Sequence, residues 1–161
     1  MRRAFLALGL AAALAGLVSI STAETGDRIK VDVVGLHSAD GDVKCALFNS
    51  AEGFPADSSK AIKTTSGPIH DGTAECDFDR VPAGEYGIAV YHDENSNGKL
   101  DRNFVGMPKE GVGASNDAAG SFGPPRYDHA CFTYSGGVKA VTIHIRYLED
   151  GPAMGPNRLP R

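Results

Sequence analysis

The strongest constraint on the fold of this chain is a two-residue alternation of apolar and polar side chains. In RIKVDVVGL, Ile29, Val31 and Val33 fall on one face, whereas Lys30 and Asp32 fall on the other. Because successive side chains of a β-strand point to opposite faces of a sheet, this pattern predicts a half-buried strand. The other alternating segments are DVKCALF, TAECDFDRV, EYGIAVY, ACFTY, VKAVTIHIRY and, more weakly, AIKTT.

These segments predict an all-β fold, specifically an antiparallel β-sandwich of about seven strands, because helical periodicity is almost absent. Gly-containing stretches at 39–42 and 134–138 have the composition of short hairpin connections. The length fits a single domain, which we place at residues 24–149. The Pro- and Gly-rich segment 150–161 is predicted to be a flexible tail.

The N-terminal residues 1–23 have the pattern of a secretory signal peptide. Arg2 and Arg3 precede an apolar run, and Ser21 and Ala23 have the spacing that signal peptidase requires. The run is shorter than the ~20 apolar residues of a spanning helix, so we expect cleavage after Ala23 and no membrane insertion afterwards. The sequence therefore predicts a periplasmic or secreted protein.

The charge of the chain limits its partners. Residues 1–23 carry two Arg and no acidic residue, so their removal would change the net charge from −4 to −6. An acidic chain without a basic run argues against nucleic acid as a partner, since phosphate binding needs clustered Lys and Arg.

Three cysteines, Cys45, Cys76 and Cys131, would lie in a compartment where disulfides persist. Cys45 and Cys76 both alternate with apolar neighbours, so both side chains are expected to face the core. This predicts a Cys45–Cys76 disulfide with Cys131 free. The alternative is three reduced, buried thiols, because sequence alone does not determine connectivity.

Residues 92–128 form a long loop without convincing periodicity, and such long connections in small domains tend to be functional or disordered. Their apolar content favours an ordered segment. Aromatic side chains in and after this loop either line a groove for a ligand or form the core of the loop itself, and we expect the second. These aromatic residues are Phe104, Phe122, Tyr127 and Tyr134.

The stretch HDENSNGKLD, at the start of the long loop, places oxygen-bearing groups at alternate positions, as a calcium loop does. Gly98 occupies the sixth position, where such loops turn sharply. Hard oxygen ligands select Ca²⁺ over zinc or copper. The predicted ligands within the stretch are Asp93, Asn95, Asn97, the Lys99 carbonyl and Asp101.

The calcium pattern is incomplete, because its twelfth position, a bidentate Glu in EF-hand loops, is Phe104 here. Glu110, Asp117 or Asp128 would have to complete the coordination shell of the ion, and we include Glu110 in the predicted ligand set. The alternative is a plain hairpin turn at 97–98, since Asn-Gly is a strong turn signal and Asp and Asn cap their own backbones. Both interpretations remain open.

The segments PAGEY (82–86), HDENSNGKLD, GMPKEGVG (106–113), SND (115–117) and GPPRYDHA (123–130) together resemble the signature of a bacterial family, Domain of Unknown Function 2141. The resemblance extends over essentially the whole predicted domain. It implies a small exported protein with a fold similar to transthyretin-like or immunoglobulin-like sandwiches. It implies no reaction.

The function expected from these features is that of an exported, non-catalytic binding or structural module with a Ca²⁺-stabilised loop and an unknown ligand or protein partner. The sequence contains no nucleophile elbow, H-E-x-x-H, phosphate loop or C-x-x-C motif. The alternative is a hydrolase or isomerase with its site in the 92–129 region, using His92 and Glu110.

Overall fold

The computed structural model describes residues 26–120 and 123–148. The predicted signal peptide, the predicted tail at 150–161 and Phe122 therefore lie outside the described residues. Among the residues that are described, no helix is long and apolar enough to cross a membrane.

The described residues form eight strands and very little helix. Each segment predicted from alternation overlaps one strand, whereas β6 was not predicted because three residues are too few to show a period. One helical turn, α1, spans Tyr127–Ala130, and 3-10 turns span Ser58–Lys60 and Ser115–Asp117. The strands are β1 (Arg28–Val34), β2 (Asp42–Phe48), β3 (Lys63–His70), β4 (Thr73–Asp79), β5 (Gly84–Asp93), β6 (Val112–Ala114), β7 (Phe132–Tyr134) and β8 (Val138–His144).

In the sheet the strands lie side by side in the order β6-β5-β2-β3-β4-β1-β8. Strand β7 lies outside this order and pairs with β5. Strands β1 and β8 run parallel, with Val31 opposite Val141, and the other pairs are antiparallel. A bridge between Val112 and Arg146 brings the two ends of this order together, so the sheet nearly closes on itself. The all-β prediction is confirmed, but the sheet is mixed and nearly barrel-shaped instead of clearly an antiparallel sandwich.

Strand β3 changes partner along its length. Its residues 63–68 pair with β2, and Ile69 and His70 pair with β4. At this corner a Cβ on Gly67 would overlap the Glu75 carbonyl oxygen and lie 3.3 Å from Cys76 Sγ. Glycine is thus required where the chain passes closely over β4.

The main core is built from the apolar side chains that alternate along the strands and face the interior of the fold. A smaller cluster on the opposite face of β2 and β5 contains Phe48. The Phe54 ring contacts Phe48 on one side and Tyr127 on the other. Tyr134 belongs to the main core, but Phe104 is fully exposed, so the expectation that Phe104 packs within the loop is wrong. The largest apolar members of the main core are Ile29, Val31, Val33, Leu47, Phe78, Ile88, Tyr134 and Ile143.

Cys45 on β2 and Cys76 on β4 form a disulfide, with their Cα atoms 6.7 Å apart, and Cys131 is free. The predicted pairing agrees with this geometry. The bond joins two strands that β3 separates in the strand order, so it crosses the interior of the fold.

Replacing Cys45 and Cys76 together by Ala is expected to lower the free energy of unfolding by about 3 kcal/mol, since the bond restricts the unfolded chain. Urea denaturation would measure the loss. Cys131→Ala is the matched control and should change stability by less than about 0.5 kcal/mol. Equal stability of the double variant and the control would show that the bond contributes nothing.

Candidate metal sites at the end of strand β5

Asp93, the last residue of β5, anchors the loop that follows it. Its side chain is fully buried, its Oδ1 accepts a hydrogen bond from the Asn97 N–H at 3.0 Å, and its Oδ2 accepts one from the Gly98 N–H at 2.8 Å. Ser96 and Gly98 have positive φ values of 55° and 75°, which lets the chain curl around this carboxylate. The buried carboxylate therefore holds the turn closed.

The two Asn side chains of the loop bind Asp101. Asn95 Nδ2 donates to Asp101 Oδ2 at 2.7 Å, and Asn97 Nδ2 lies 3.2 and 3.3 Å from the two carboxylate oxygens. The amide oxygens accept hydrogen bonds from main-chain N–H groups. Asn95 Oδ1 accepts one from the Asn97 N–H, and Asn97 Oδ1 accepts one from the Lys99 N–H. The predicted ligands of the stretch are thus assembled in one hydrogen-bonded loop.

Glu110 reaches this loop from the far side of the long connection. Its side chain is buried, Oε1 accepts from the Glu94 N–H at 3.1 Å, and Oε2 accepts from the Asp101 N–H at 2.9 Å. One carboxylate therefore ties together the beginning and the end of the loop.

The other two candidates for completing the shell lie elsewhere. The Asp117 carboxylate accepts from the His144 N–H at 3.0 Å and lies 2.8 Å from His144 Nδ1. Asp128 pairs with Arg126 at 2.7 Å, which lowers the pKa of the Asp128 carboxyl below its ordinary value. Of the three, Glu110 is the one that contacts the loop.

The loop sits in a negatively charged environment. Asp42 lies opposite Asp93 across β2 and β5, and its Oδ1 is buried without a hydrogen-bond partner in the described structure. Lys44 Nζ is 2.8 Å from Asp42 Oδ2 and 3.9 Å from Asp93 Oδ2. Burial raises the pKa of the Tyr91 phenol, and the charges of Asp93, Glu110 and Asp42 raise it further. A cation near this loop would be electrostatically favoured.

The carboxylates of Asp93, Asp101 and Glu110 do not converge as tightly as three ligands of one ion would. The amide groups of the two Asn residues contact Asp101 instead. Within the part of the chain that the structure describes, one group of three His, Cys, Asp or Glu residues has its ligand atoms within 4.8 Å of one another. This group consists of His37, His92 and Glu94.

His92 is fully buried and hydrogen-bonded at both ring nitrogens: Nε2 lies 2.7 Å from the Asp40 carbonyl oxygen, and Nδ1 lies 2.7 Å from the Tyr147 hydroxyl. The main-chain N–H of His92 also donates a hydrogen bond to the Gly111 carbonyl oxygen at 2.9 Å. His92 and Glu110 therefore lie on adjoining segments, but their side chains bind different partners.

His37 completes the group from the loop that follows β1. Its ring stacks on Tyr147 at 3.7 Å between centroids, and its Nε2 lies 2.9 Å from Glu94 Oε1. Sequence reasoning missed this residue because nothing local distinguishes it. Its proximity to β5 arises from chain segments that are far apart in sequence.

A model of a bacterial protein family, described as an uncharacterized protein conserved in bacteria (DUF2141), matches residues 31–142. The chain belongs to this family. The DUF2141 match begins within β1 and ends within β8, so it contains both groups of candidate ligands described above. Neither a curated protein nor a solved structure matches the chain significantly. Membership of DUF2141 confirms the resemblance seen in the sequence and assigns no reaction.

Proposed function

We propose that this DUF2141 protein is an exported, non-catalytic binding or structural module whose 93–110 loop is stabilised by one Ca²⁺. One observation carries the proposal: Asp93 and Glu110 are both buried, and main-chain N–H groups donate hydrogen bonds to both carboxylates. Burying carboxylate charge is unfavourable unless a positive charge compensates it. Lys44 lies 3.9 Å from Asp93, and a bound cation would supply the remaining compensation.

The ligand types favour Ca²⁺. Carboxylate and amide oxygens are hard donors, and the loop of residues 93–101 keeps the alternate spacing of a calcium loop. An ion would have to replace the contacts between Asn97 Nδ2 and Asp101, which are long at 3.2 and 3.3 Å, and draw together carboxylates that do not converge in this structure. Because binding must exchange these contacts, we expect weak affinity, on the order of 10⁻⁴ to 10⁻³ M, as in other extracellular modules.

Export and the absence of catalysis are part of the same proposal. The leader-like residues 1–23 and the Cys45–Cys76 pair both favour an oxidising compartment. An acid-base mechanism that used His92 and Glu110 would have to break the hydrogen bonds that each side chain makes in the folded protein. These bonds support a structural role for both side chains.

Ca²⁺ is expected to raise the midpoint of thermal unfolding by a few degrees relative to EDTA. At a concentration tenfold above the dissociation constant, binding to the native state adds about 1.4 kcal/mol of stability. Asp101→Asn should abolish the increase, because it removes a carboxylate ligand without disturbing the buried Asp93. Asp128→Asn removes a carboxylate that pairs with Arg126 away from the loop, so it should leave the increase intact.

The measurement is a thermal melt followed by circular dichroism, first in EDTA and then in millimolar Ca²⁺. A midpoint that Ca²⁺ leaves unchanged would overturn the calcium proposal. An increase that persists in Asp101→Asn would show that the ion binds elsewhere.

A further inference from the structure

The second group of ligand atoms, at His37, His92 and Glu94, has a different chemistry from the 93–101 loop. Two imidazoles and one carboxylate suit borderline transition-metal ions, whereas the loop offers oxygen alone. His92 and Glu94 alternate with Asp93 along the chain, so the two groups use different side chains of the same segment. The His37–His92–Glu94 cluster therefore needs an explanation of its own.

The distances within this cluster are close to those of a bound metal. Glu94 Oε1 lies 2.9 Å from His37 Nε2 and 3.6 Å from His92 Nδ1. Around a tetrahedral zinc ion with bonds of ~2.0 to 2.2 Å, neighbouring ligand atoms are ~3.4 Å apart. The two Glu94 distances bracket this value, and all three ligand atoms lie within 4.8 Å of one another.

His92 has the second contact that metal-binding imidazoles usually have. Its Nε2 faces the Asp40 carbonyl oxygen, which can only accept, so Nε2 carries a hydrogen. In the neutral ring this leaves a lone pair on Nδ1, which accepts a hydrogen bond from the Tyr147 hydroxyl at 2.7 Å, with Glu94 Oε1 3.6 Å away. A metal ion bound to Nδ1 would take the place of this hydrogen bond. A main-chain carbonyl on the far nitrogen fixes the tautomer and orients the ring, as it does in metal sites.

The other two side chains provide access and are already held in place. The side chains of His37 and Glu94 are 45% and 32% exposed, so an ion can enter from their side while His92 forms the buried wall. Stacking of the His37 ring on Tyr147 restricts its rotation before any ion binds. Binding would therefore require little ordering of side chains.

We propose that His37, His92 and Glu94 form a binding site for one divalent transition-metal ion of the Zn²⁺ class. Three protein ligands would leave one position of a tetrahedral ion open to water or a further ligand. The site shares no ligand with the Ca²⁺ loop, and the inference does not depend on calcium binding.

Calorimetric titration of the tag-free full chain with Zn²⁺, in excess Ca²⁺ to occupy oxygen-only sites, is expected to give one bound ion per chain. His37→Asn and Glu94→Gln should each weaken binding by at least about tenfold, since losing even an outer partner of a ligand costs about 10- to 100-fold. His129→Gln, at an exposed position of α1, is the matched control and should leave the affinity unchanged. These variants leave the buried His92 intact, and circular dichroism would verify that they fold.

Two further measurements separate this site from the alternatives. Bound Co²⁺ should show visible bands without a thiolate charge-transfer band, which would indicate that Cys131 is not a ligand. Asp101→Asn should retain Zn²⁺ affinity, and Glu94→Gln should retain any stabilisation by Ca²⁺. The proposal is overturned if no Zn²⁺ binds, if binding survives both His37→Asn and Glu94→Gln, or if it requires Cys131.

Discussion

Glu110→Gln is expected to lower the free energy of unfolding by about 3 kcal/mol, even in EDTA. The buried carboxylate accepts one main-chain N–H with each oxygen, from Glu94 and from Asp101. A Gln side chain offers one oxygen and one NH₂ group, so one buried N–H would face another donor instead of an acceptor. Leaving a buried donor unsatisfied costs about 1 to 3 kcal/mol, and more when the lost bond was to a charged group.

Urea denaturation in EDTA would measure this loss. Glu85→Gln, an exposed substitution near the start of β5, is the matched control and should stay within about 0.5 kcal/mol. In Ca²⁺ the difference between Glu110→Gln and the native chain should grow, because the variant also loses a proposed ligand. Native-like stability of Glu110→Gln in EDTA would contradict the role of this side chain in closing the loop.

Gly41→Ala is expected to lower the free energy of unfolding by about 2 to 5 kcal/mol. Gly41 has a φ of 68°, and a Cβ there would overlap the Asp93 carbonyl oxygen and lie 2.9 Å from the Glu94 carbonyl carbon. The left-handed conformation costs an L-residue about 1 to 2 kcal/mol, and displacing packed backbone adds about 1 to 3 kcal/mol. This substitution would push the segment before β2 away from the end of β5.

Gly98→Ala separates these two contributions. Gly98 has a similar φ of 75°, but a Cβ there would meet nothing within 4 Å. Gly98→Ala should therefore lower the free energy of unfolding by about 1 to 2 kcal/mol, from backbone strain alone. Thermal and urea unfolding of both variants would give the comparison, and equal losses would mean that the close approach at Gly41 is tolerated.

The strand content could be predicted from the sequence, because alternation such as that of Ile29, Val31 and Val33 depends on local geometry alone. The inward orientation of Cys45 and Cys76 could also be predicted, whereas their bond to each other required the tertiary structure to bring them together. The direction of the strands could not be predicted. A strand shows the same alternation whether its neighbour is parallel or antiparallel, as in the parallel pair β1 and β8. The three residues of β6 carry no period at all.

The proposed Ca²⁺ ligands could likewise be predicted only in part from the sequence. The spacing from Asp93 to Asp101 identified a candidate loop, and Glu110, which we included in the predicted ligand set, was one of three candidates with Asp117 and Asp128. Their distances from the loop depend on the path of the long connection, and the tertiary structure places Glu110 against it.

The sequence by itself determined the β-rich class, the inward-facing cysteines and the turn-forming loop, because each depends on neighbours within a few residues. The tertiary structure alone decided the near closure of the sheet and the meeting of His37, His92 and Glu94. The first joins β6 to the segment after β8, and the second joins the loop after β1 to the end of β5. Contacts between residues so far apart leave no periodic trace in the sequence, since the folded path of the whole chain creates them.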